Sequence, residues 1–181
     1  MNKIGIFFGT DSGTTRLMAK TMAKLLGDVA AKPVNINRAS ADEMLQYDAL
    51  ILGTPTYGIN QLPGKSTKVL EGCWEEFMPQ LQGRDLSGKT IALYGLGDQE
   101  KYPDRFVHSL IHLYDWCKTG GAQVVGQWST DGYTFEHSPS VIDGQFVGLI
   151  IDQRSQSLLT DERLATWIAQ IKPALVEKLT D

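Results

Sequence analysis

The 181-residue sequence has only two cysteines, Cys73 and Cys117, and neither belongs to a C-x-x-C pair or to a set of spaced histidines. Zinc sites and dithiol redox motifs depend on such spacing, so both are excluded as the basis of function, and the two residues read as plain structural or surface thiols. No apolar run approaches the roughly 20 residues that cross a bilayer. The opening MNKIGIFFGT lacks the long apolar centre and small-residue cleavage site of a signal peptide. A cytoplasmic protein with no membrane partner is expected. Lys and Arg form no cluster, and the net charge is -4. Nucleic acid is thereby excluded, because neutralising phosphates needs clustered cations. A mildly acidic balance serves solubility alone or steers encounters with basic protein surfaces. Repeats, low-complexity tracts and Pro/Ser-rich linkers are also missing, so residues 1–181 are expected to form a single domain.

What the sequence does have is an alternation of short apolar runs with amphipathic stretches. Met1 to Phe8 reads as a buried strand, and Thr14 to Leu26 as a helix with Leu17, Met18, Thr21, Met22, Leu25 and Leu26 on its inner side, closed by Gly27. KPVNINR gives a second strand, and Ser40-Ala41-Asp42-Glu43 is a capping-box pattern opening a brief helix. YDALILGTP and KTIALYGLGD are apolar at consecutive positions, the mark of strands covered on both faces. A helix over Phe106 to Lys118, a strand in AQVVGQWS and a closing helix from Thr160 to Leu179 complete the series. Strands and helices alternating at this spacing predict an α/β fold, a doubly wound parallel sheet with helices on both faces. One segment interrupts the pattern. Between QVVGQWS and FVGLIID lie polar, turn-rich residues from Thr130 to Gln145, so an inserted loop is expected to split one edge strand.

In such sheets ligands bind beyond the carboxyl ends of the strands. The loops to weigh are therefore GTDSGTT, GTPTYGINQLPG and GLGDQEKYPD. The first is not a triphosphate P-loop, since Gly9 and Gly13 are one residue too close and Thr14 stands where that motif needs Lys; G-x-G-x-x-G is absent as well. It offers hydroxyls at Thr10, Ser12, Thr14 and Thr15 around Gly13, which suits either a phosphate held at a helix N-terminus or a hydroxyl-rich helix cap. The second and third loops each carry a tyrosine, Tyr57 and Tyr102. Two rings on adjacent loops can sandwich a flat heterocycle, and with a phosphate loop they describe a planar ligand with a phosphate tail. His108 and His112 stand at i, i+4 with Asp115 beyond them, but with no further ligand nearby no metal site is expected, and they read as surface or packing residues. Trp74, Trp116, Trp128 and Trp167 fit packing positions.

Taken in order, Thr10-Asp11-Ser12-Gly13-Thr14-Thr15, GTPTYG, GLGDQEKYPD, WSTDGYTF and DGQFVGLIID resemble the long-chain flavodoxins over nearly the whole chain, and the split last strand is what marks that type. LPGKSTKVLEGCWEEFMPQ is similar to the nitrogen-fixation subgroup. The resemblance implies a five-stranded parallel sheet in the order 2-1-3-4-5 and a low-potential one-electron carrier using non-covalent FMN through its semiquinone/hydroquinone couple. It is then an electron-transfer protein and not an enzyme; the alternative on the same fold is an FMN-dependent NAD(P)H reductase of quinones or other small acceptors. A phospho-acceptor receiver needs an acidic pair after strand one and an Asp ending strand three, and the sequence has neither.

By the resemblance, the cofactor phosphate lies at Thr10, Asp11, Ser12, Gly13, Thr14 and Thr15. Pro55, Thr56, Tyr57, Gly58 and Ile59 form one wall of the ring pocket, and Leu96, Gly97, Asp98 and Tyr102 the other. Tyr102 is the coplanar stacking ring; Tyr57 stands where the family often has Trp. The carbonyl of the Gly58-Ile59 peptide is the one expected to turn toward flavin N5 on reduction, at low cost because glycine tolerates positive φ. Apart from Lys101 the three loops hold no Lys or Arg, which predicts a very low potential for the second electron. Arg154 stands where the family often has an acid. The implied partners are redox proteins with basic docking surfaces: a flavodoxin reductase or another low-potential donor, and nitrogenase reductase as candidate acceptor. A monomer is expected.

Overall fold

Three strands, β1 (Gly5–Phe8), β3 (Ala49–Thr54) and β4 (Thr90–Leu96), are buried almost throughout and form the middle of the sheet in a computed structural model that describes residues 2–179. Their side chains alternate between two apolar layers. Phe7, Leu50, Leu52, Ile91 and Leu93 point to one, and Ile6, Phe8, Ala49, Ile51, Ala92 and Tyr94 to the other. That period of two, with apolar residues on both faces, is why the strands read as continuous apolar runs. The first layer is closed by α2 (Ala41–Leu45), α3 (Trp74–Leu81) and α4 (Leu110–Thr119), the second by α1 (Thr14–Leu26) and α5 (Thr160–Val176).

All pairings in the main sheet are parallel, in the order β2-β1-β3-β4-β5, with β2 at Val34–Asn35 and β5 at Gln123–Val125. The expected order 2-1-3-4-5 is the one observed. The last strand is split as anticipated. β5 pairs with Thr90, Ile91 and Ala92 at the start of β4, whereas β9 (Leu149–Ile151) pairs with Tyr94, Gly95 and Leu96 at its end.

The intervening segment is more ordered than the loop expected from its composition. β6 (Trp128–Ser129), β7 (Val141–Ile142) and β8 (Gln145–Phe146) form a small antiparallel sheet. Gly126, at φ +91, breaks AQVVGQWS between the two sheets, a backbone turn that a residue with a Cβ would strain to make. Phe146 belongs to the small sheet and not to the buried strand that follows. It packs with Phe106, Tyr133 and Phe135 at ring separations of 5.1–6.0 Å, so the insert joins the first apolar layer through an aromatic cluster laid against the chain after β4.

Other boundaries also moved. The helix at Thr14–Leu26 lies where predicted, but Leu17 and Leu25 are 56% and 43% exposed; Thr15 and Ala19 take the inner face instead. The Ser40/Glu43 capping box is present in both directions. β2 is shorter than KPVNINR and passes into a 3-10 turn at Ile36–Arg38. The fourth helix begins at Leu110 and not Phe106, because Val107 at φ +48 interrupts helical geometry. α3 was not anticipated, and its Trp74 and Phe77 are central to one apolar layer. Of the first expected strand, Met1 lies outside the described residues. Among the described residues no helix is long and apolar enough to cross a membrane.

Candidate cofactor site

The three loops beyond the carboxyl ends of β1, β3 and β4 enclose one cavity of about 900 Å³. Its wall takes Thr10, Ser12, Thr14 and Thr15 from the first loop and Pro55, Thr56, Tyr57, Gly58 and Ile59 from the second. Leu96, Gly97, Asp98 and Tyr102 come from the third. Asp11 and Gly13, singled out from the same motif, stand off the wall. Six further residues line it: Lys101, Arg105, Val107, His108, Gln153 and Arg154. Lys101 is the one cation that the three loops bring to the wall, and two arginines join it from outside them. Arg105 follows the third loop and Arg154 arrives from the chain after β9, contributions that only the tertiary fold brings in.

The first loop is shaped by its own sequence. Thr10 Oγ1 accepts from the Gly13 amide at 3.0 Å, and Ser12 and Thr14 hydroxyls lie 3.4 Å apart. Gly13, at φ +95, starts α1 without a side-chain cap, so the first-turn amides keep their donors. Thr10 accepts with an oxygen lone pair and retains its hydroxyl proton for another acceptor. The hydroxyls are thus not spent on capping. Beneath them, the Gly53 carbonyl accepts from both Gly9 N (3.0 Å) and Trp74 Nε1 (2.9 Å), tying the ends of β1 and β3 to α3. Fully buried Tyr94 donates to Thr15 O at 3.2 Å and fixes the start of α1.

The second loop is held from outside. His108 Nε2 lies 3.0 Å from Gly58 O, Ser109 Oγ donates to Gln61 O at 2.8 Å, and His112 Nε2 lies 3.0 Å from Asn60 O. Gly58 sits at φ +73, and a Cβ there would approach Thr67 Cγ2 to 2.7 Å. Burial raises the Tyr57 hydroxyl above its ordinary range, with the Asp11 charge adding to the rise and Arg154 opposing it. Tyr57 therefore stays a neutral ring at physiological pH.

The third loop is a turn organised by Asp98. Its Oδ1 accepts from the amides of Glu100 (3.2 Å) and Lys101 (3.1 Å), and its carbonyl from Tyr102 N (2.9 Å). Lys101 and Arg105 lie 5.4 and 5.0 Å from the centre of the Tyr102 ring, which is 38% exposed. Behind this turn, fully buried Asp152 accepts from Gln99 N (3.0 Å), Gln99 Nε2 (2.7 Å) and Ser155 N (2.8 Å), and Gln99 Oε1 accepts from Thr134 N in the insert. Pro103 O accepts from Glu136 N and His137 N, and Phe106 N donates to His137 O. The insert thus clamps the segment that carries Tyr102 and His108.

Sequence reasoning missed Gln99, Asp152 and the histidines. Asp152 could have been suspected, because a carboxylate ending a fully apolar strand must find donors; the histidines gave no signal beyond their i, i+4 spacing. The cysteines fit the structural reading: both are buried and unpaired, and burial pushes the Cys73 thiol up to about 12. Among the described residues no group of acidic, His or Cys side chains could hold a metal.

Chemically, the cavity joins a cation-free hydroxyl cradle to a pair of tyrosines. Thr56 Oγ1, one residue before Tyr57, is buried without a hydrogen-bond partner, an acceptor and donor aimed at nothing in the protein. A ligand with a flat ring and a polar, phosphate-ended tail matches this set. The flavodoxin family model matches residues 6–167. The chain is 48% identical over 172 residues to a flavodoxin of Klebsiella pneumoniae, covering 95% of this chain and 98% of the relative. It is 40% identical over 176 residues to flavodoxin 1 of Azotobacter vinelandii, covering 95% and 97%. A crystal structure of Fusobacterium nucleatum flavodoxin bound to flavin mononucleotide is similar at a TM-score of 0.86 and 32% identity, over 96% of this chain and 98% of that one.

Proposed function

The chain belongs to the flavodoxin family, and from that premise we propose that it is a low-potential one-electron carrier holding FMN without a covalent bond in the cavity above β1, β3 and β4. Flavodoxins are electron-transfer flavoproteins and not enzymes. The observation that carries the reading is that the hydroxyl cradle, Tyr57, Tyr102 and the unpartnered Thr56 hydroxyl share one cavity.

Bound there, FMN supplies a ring that takes up and releases electrons one at a time. Thr10, Ser12, Thr14 and Thr15, with the first amides of α1, would donate to its phosphate at the helix N-terminus. Thr56 gives its hydroxyl to the tail. Tyr57 and Tyr102 exclude water from the ring faces. The Gly58-Ile59 peptide is the one that can offer a carbonyl to a proton on ring N5, and glycine at Gly58 makes the required turn cheap. Low solvation between the aromatic walls, together with Asp98, disfavours added negative charge. Arg105 relieves this only partly, because its guanidinium is paired with Asp104 at 3.2 Å, and exposed Lys101 and Arg154 are screened by solvent.

Around the mouth, Asp11, Glu100 and Asp104 are exposed. They favour transient, salt-sensitive docking with cytoplasmic redox proteins that present basic rims. Nitrogenase reductase is the acceptor to which the resemblance of residues 62–80 points. Reconstitution with FMN followed by stepwise reduction tests the function. The expected outcome is tight binding, two resolved one-electron steps in the visible spectrum and no direct oxidation of NAD(P)H. A single two-electron step with rapid NAD(P)H oxidation would instead make the protein a reductase.

A further inference from the structure

The loop from Gly58 to Asn60 is exposed, so little packing fixes it. What fixes it is a row of side chains from α4 and the turn before it: His108, Ser109 and His112 bond the carbonyls of Gly58, Gln61 and Asn60. Carbonyls only accept, so both imidazoles must carry their proton on Nε2. For His108 this assignment leaves Nδ1 as a bare lone pair, and that atom is buried without a partner; the residue as a whole is 2% exposed. A buried unpaired acceptor opposes folding. Its retention on the cavity wall marks the Nε2 bond as the purpose of the residue. Burial holds His108 below its ordinary value, with His112 and Arg105 acting in the same direction and the Gly58 bond against it, so the imidazole stays neutral at physiological pH.

We propose that His108, seconded by His112, is a positioning residue that grips the Gly58 carbonyl against α4 while the cofactor is oxidised and must let go before that carbonyl can turn to the ring. The proposal rests on the carrier reading above, since the turn belongs to reduction of bound FMN. Its consequence is an added cost to the first electron. The grip stabilises the oxidised complex and is absent from the reduced one, so it lowers the first potential of this chain.

The test compares the full-length protein with His108→Leu, His108→Gln and His112→Leu. Oxidised FMN affinity is read by quenching of flavin fluorescence, and the first potential by equilibrium redox titration. Leu removes the donor and keeps the bulk; Gln restores an N–H near the place of Nε2. His108→Leu should bind oxidised FMN as tightly as the parent and one-electron-reduced FMN about tenfold more tightly, which raises the first potential by about 59 mV. His108→Gln should stay within about twofold of the parent. His112→Leu should move the potential the same way by a smaller step. A merely structural role would lower stability and leave the potential in place, and that result, or a fall in potential, overturns the proposal. Should His108→Leu fail to fold, an unchanged potential in His112→Leu, whose side chain is half-buried, overturns it equally. A parent that does not bind FMN overturns instead the carrier reading of the preceding section.

Discussion

The hydroxyl loop at residues 10–15 and the two ring-facing walls at 55–61 and 97–105 line the same cavity but are built on different plans. In the first, the contacts that shape the loop itself are local, Thr10 to Gly13, Ser12 to Thr14 and Gly13 O to Leu17 N, and the remote bonds from Gly9 N to Gly53 O and from Tyr94 to Thr15 O hold only its two ends. In the walls, beyond the local turn at Asp98, remote contacts carry the order. Gly58, Asn60 and Gln61 are bonded from 48 to 52 residues away, Gln99 is bonded to Asp152 across 53, and Thr134 reaches Gln99 across 35. The proposed anchor for the tail is therefore largely a property of a short peptide, whereas the proposed surroundings of the ring are a property of the whole fold. This division suits a carrier. A phosphate needs a constant grip in every redox state, while the ring needs walls whose strain the rest of the molecule can set.

The sharpest way to break the comparison is to cut the most connected remote partner. Asp152→Ala removes three bonds to a fully buried carboxyl and leaves Gln99 without its acceptor. At about 1 kcal/mol net for each bond, the apoprotein should lose about 3 kcal/mol of stability to urea. Binding of FMN should weaken as well, since the turn carrying Tyr102 loses its backing. If Asp152→Ala unfolds at the same urea concentration as the parent, the third loop is self-sufficient and the contrast drawn above is wrong.

The same contrast explains what could be read from the sequence. The first loop, α1 and the Ser40/Glu43 capping box were legible because their geometry follows from neighbours within four residues. The three central strands were legible because burial on both faces leaves an unbroken apolar run. Leu17 and Leu25 were misplaced because a 13-residue helix carries more apolar side chains than its inner face can hold, and only packing decides between Leu17 and Ala19. Arg105, Gln99 and Asp152 were illegible as site residues, since each reaches the cavity or its support through chain crossings that no local pattern encodes, and Arg154 stood out only through the family resemblance. His108 and His112 are the instructive case. Their i, i+4 spacing is visible in the sequence, but its meaning depends on Gly58 and Asn60, 50 and 52 residues away along the chain.

A smaller effect is expected from the local side of the comparison. Thr10→Ala deletes the acceptor for Gly13 N and one hydroxyl of the cradle. Apoprotein stability should change by about 1 kcal/mol or less, because the bond is part-buried and solvent can replace it. Affinity for FMN should fall about tenfold, while riboflavin, which has no phosphate, should bind the variant and the parent alike. Equal losses for both ligands would show that the loop shapes the ring pocket too, and the two plans would merge into one.

The smallest effect is in the pH dependence of the apoprotein, and it separates the histidine grip from the carboxylates of Glu75 and Asp85. His108 titrates below its ordinary value of 6.5 when folded, because of burial first and then the neighbouring His112 and Arg105. The unfolded chain consequently binds more protons as the pH falls through about 6.5, so stability must drop there; it is fully present above that value. Glu75 and Asp85, lowered by bonds to Ser66 and Ser87, act with the same sign but only near and below their ordinary values of 4.5 and 3.8. Urea midpoints measured at about pH 7.5 and about pH 5.5 should thus differ in the parent, and His108→Gln should flatten the difference while keeping the N–H that holds Gly58. A slope that survives this substitution would place the titrating group elsewhere and remove the neutral, Nε2-protonated imidazole from the account of the loop.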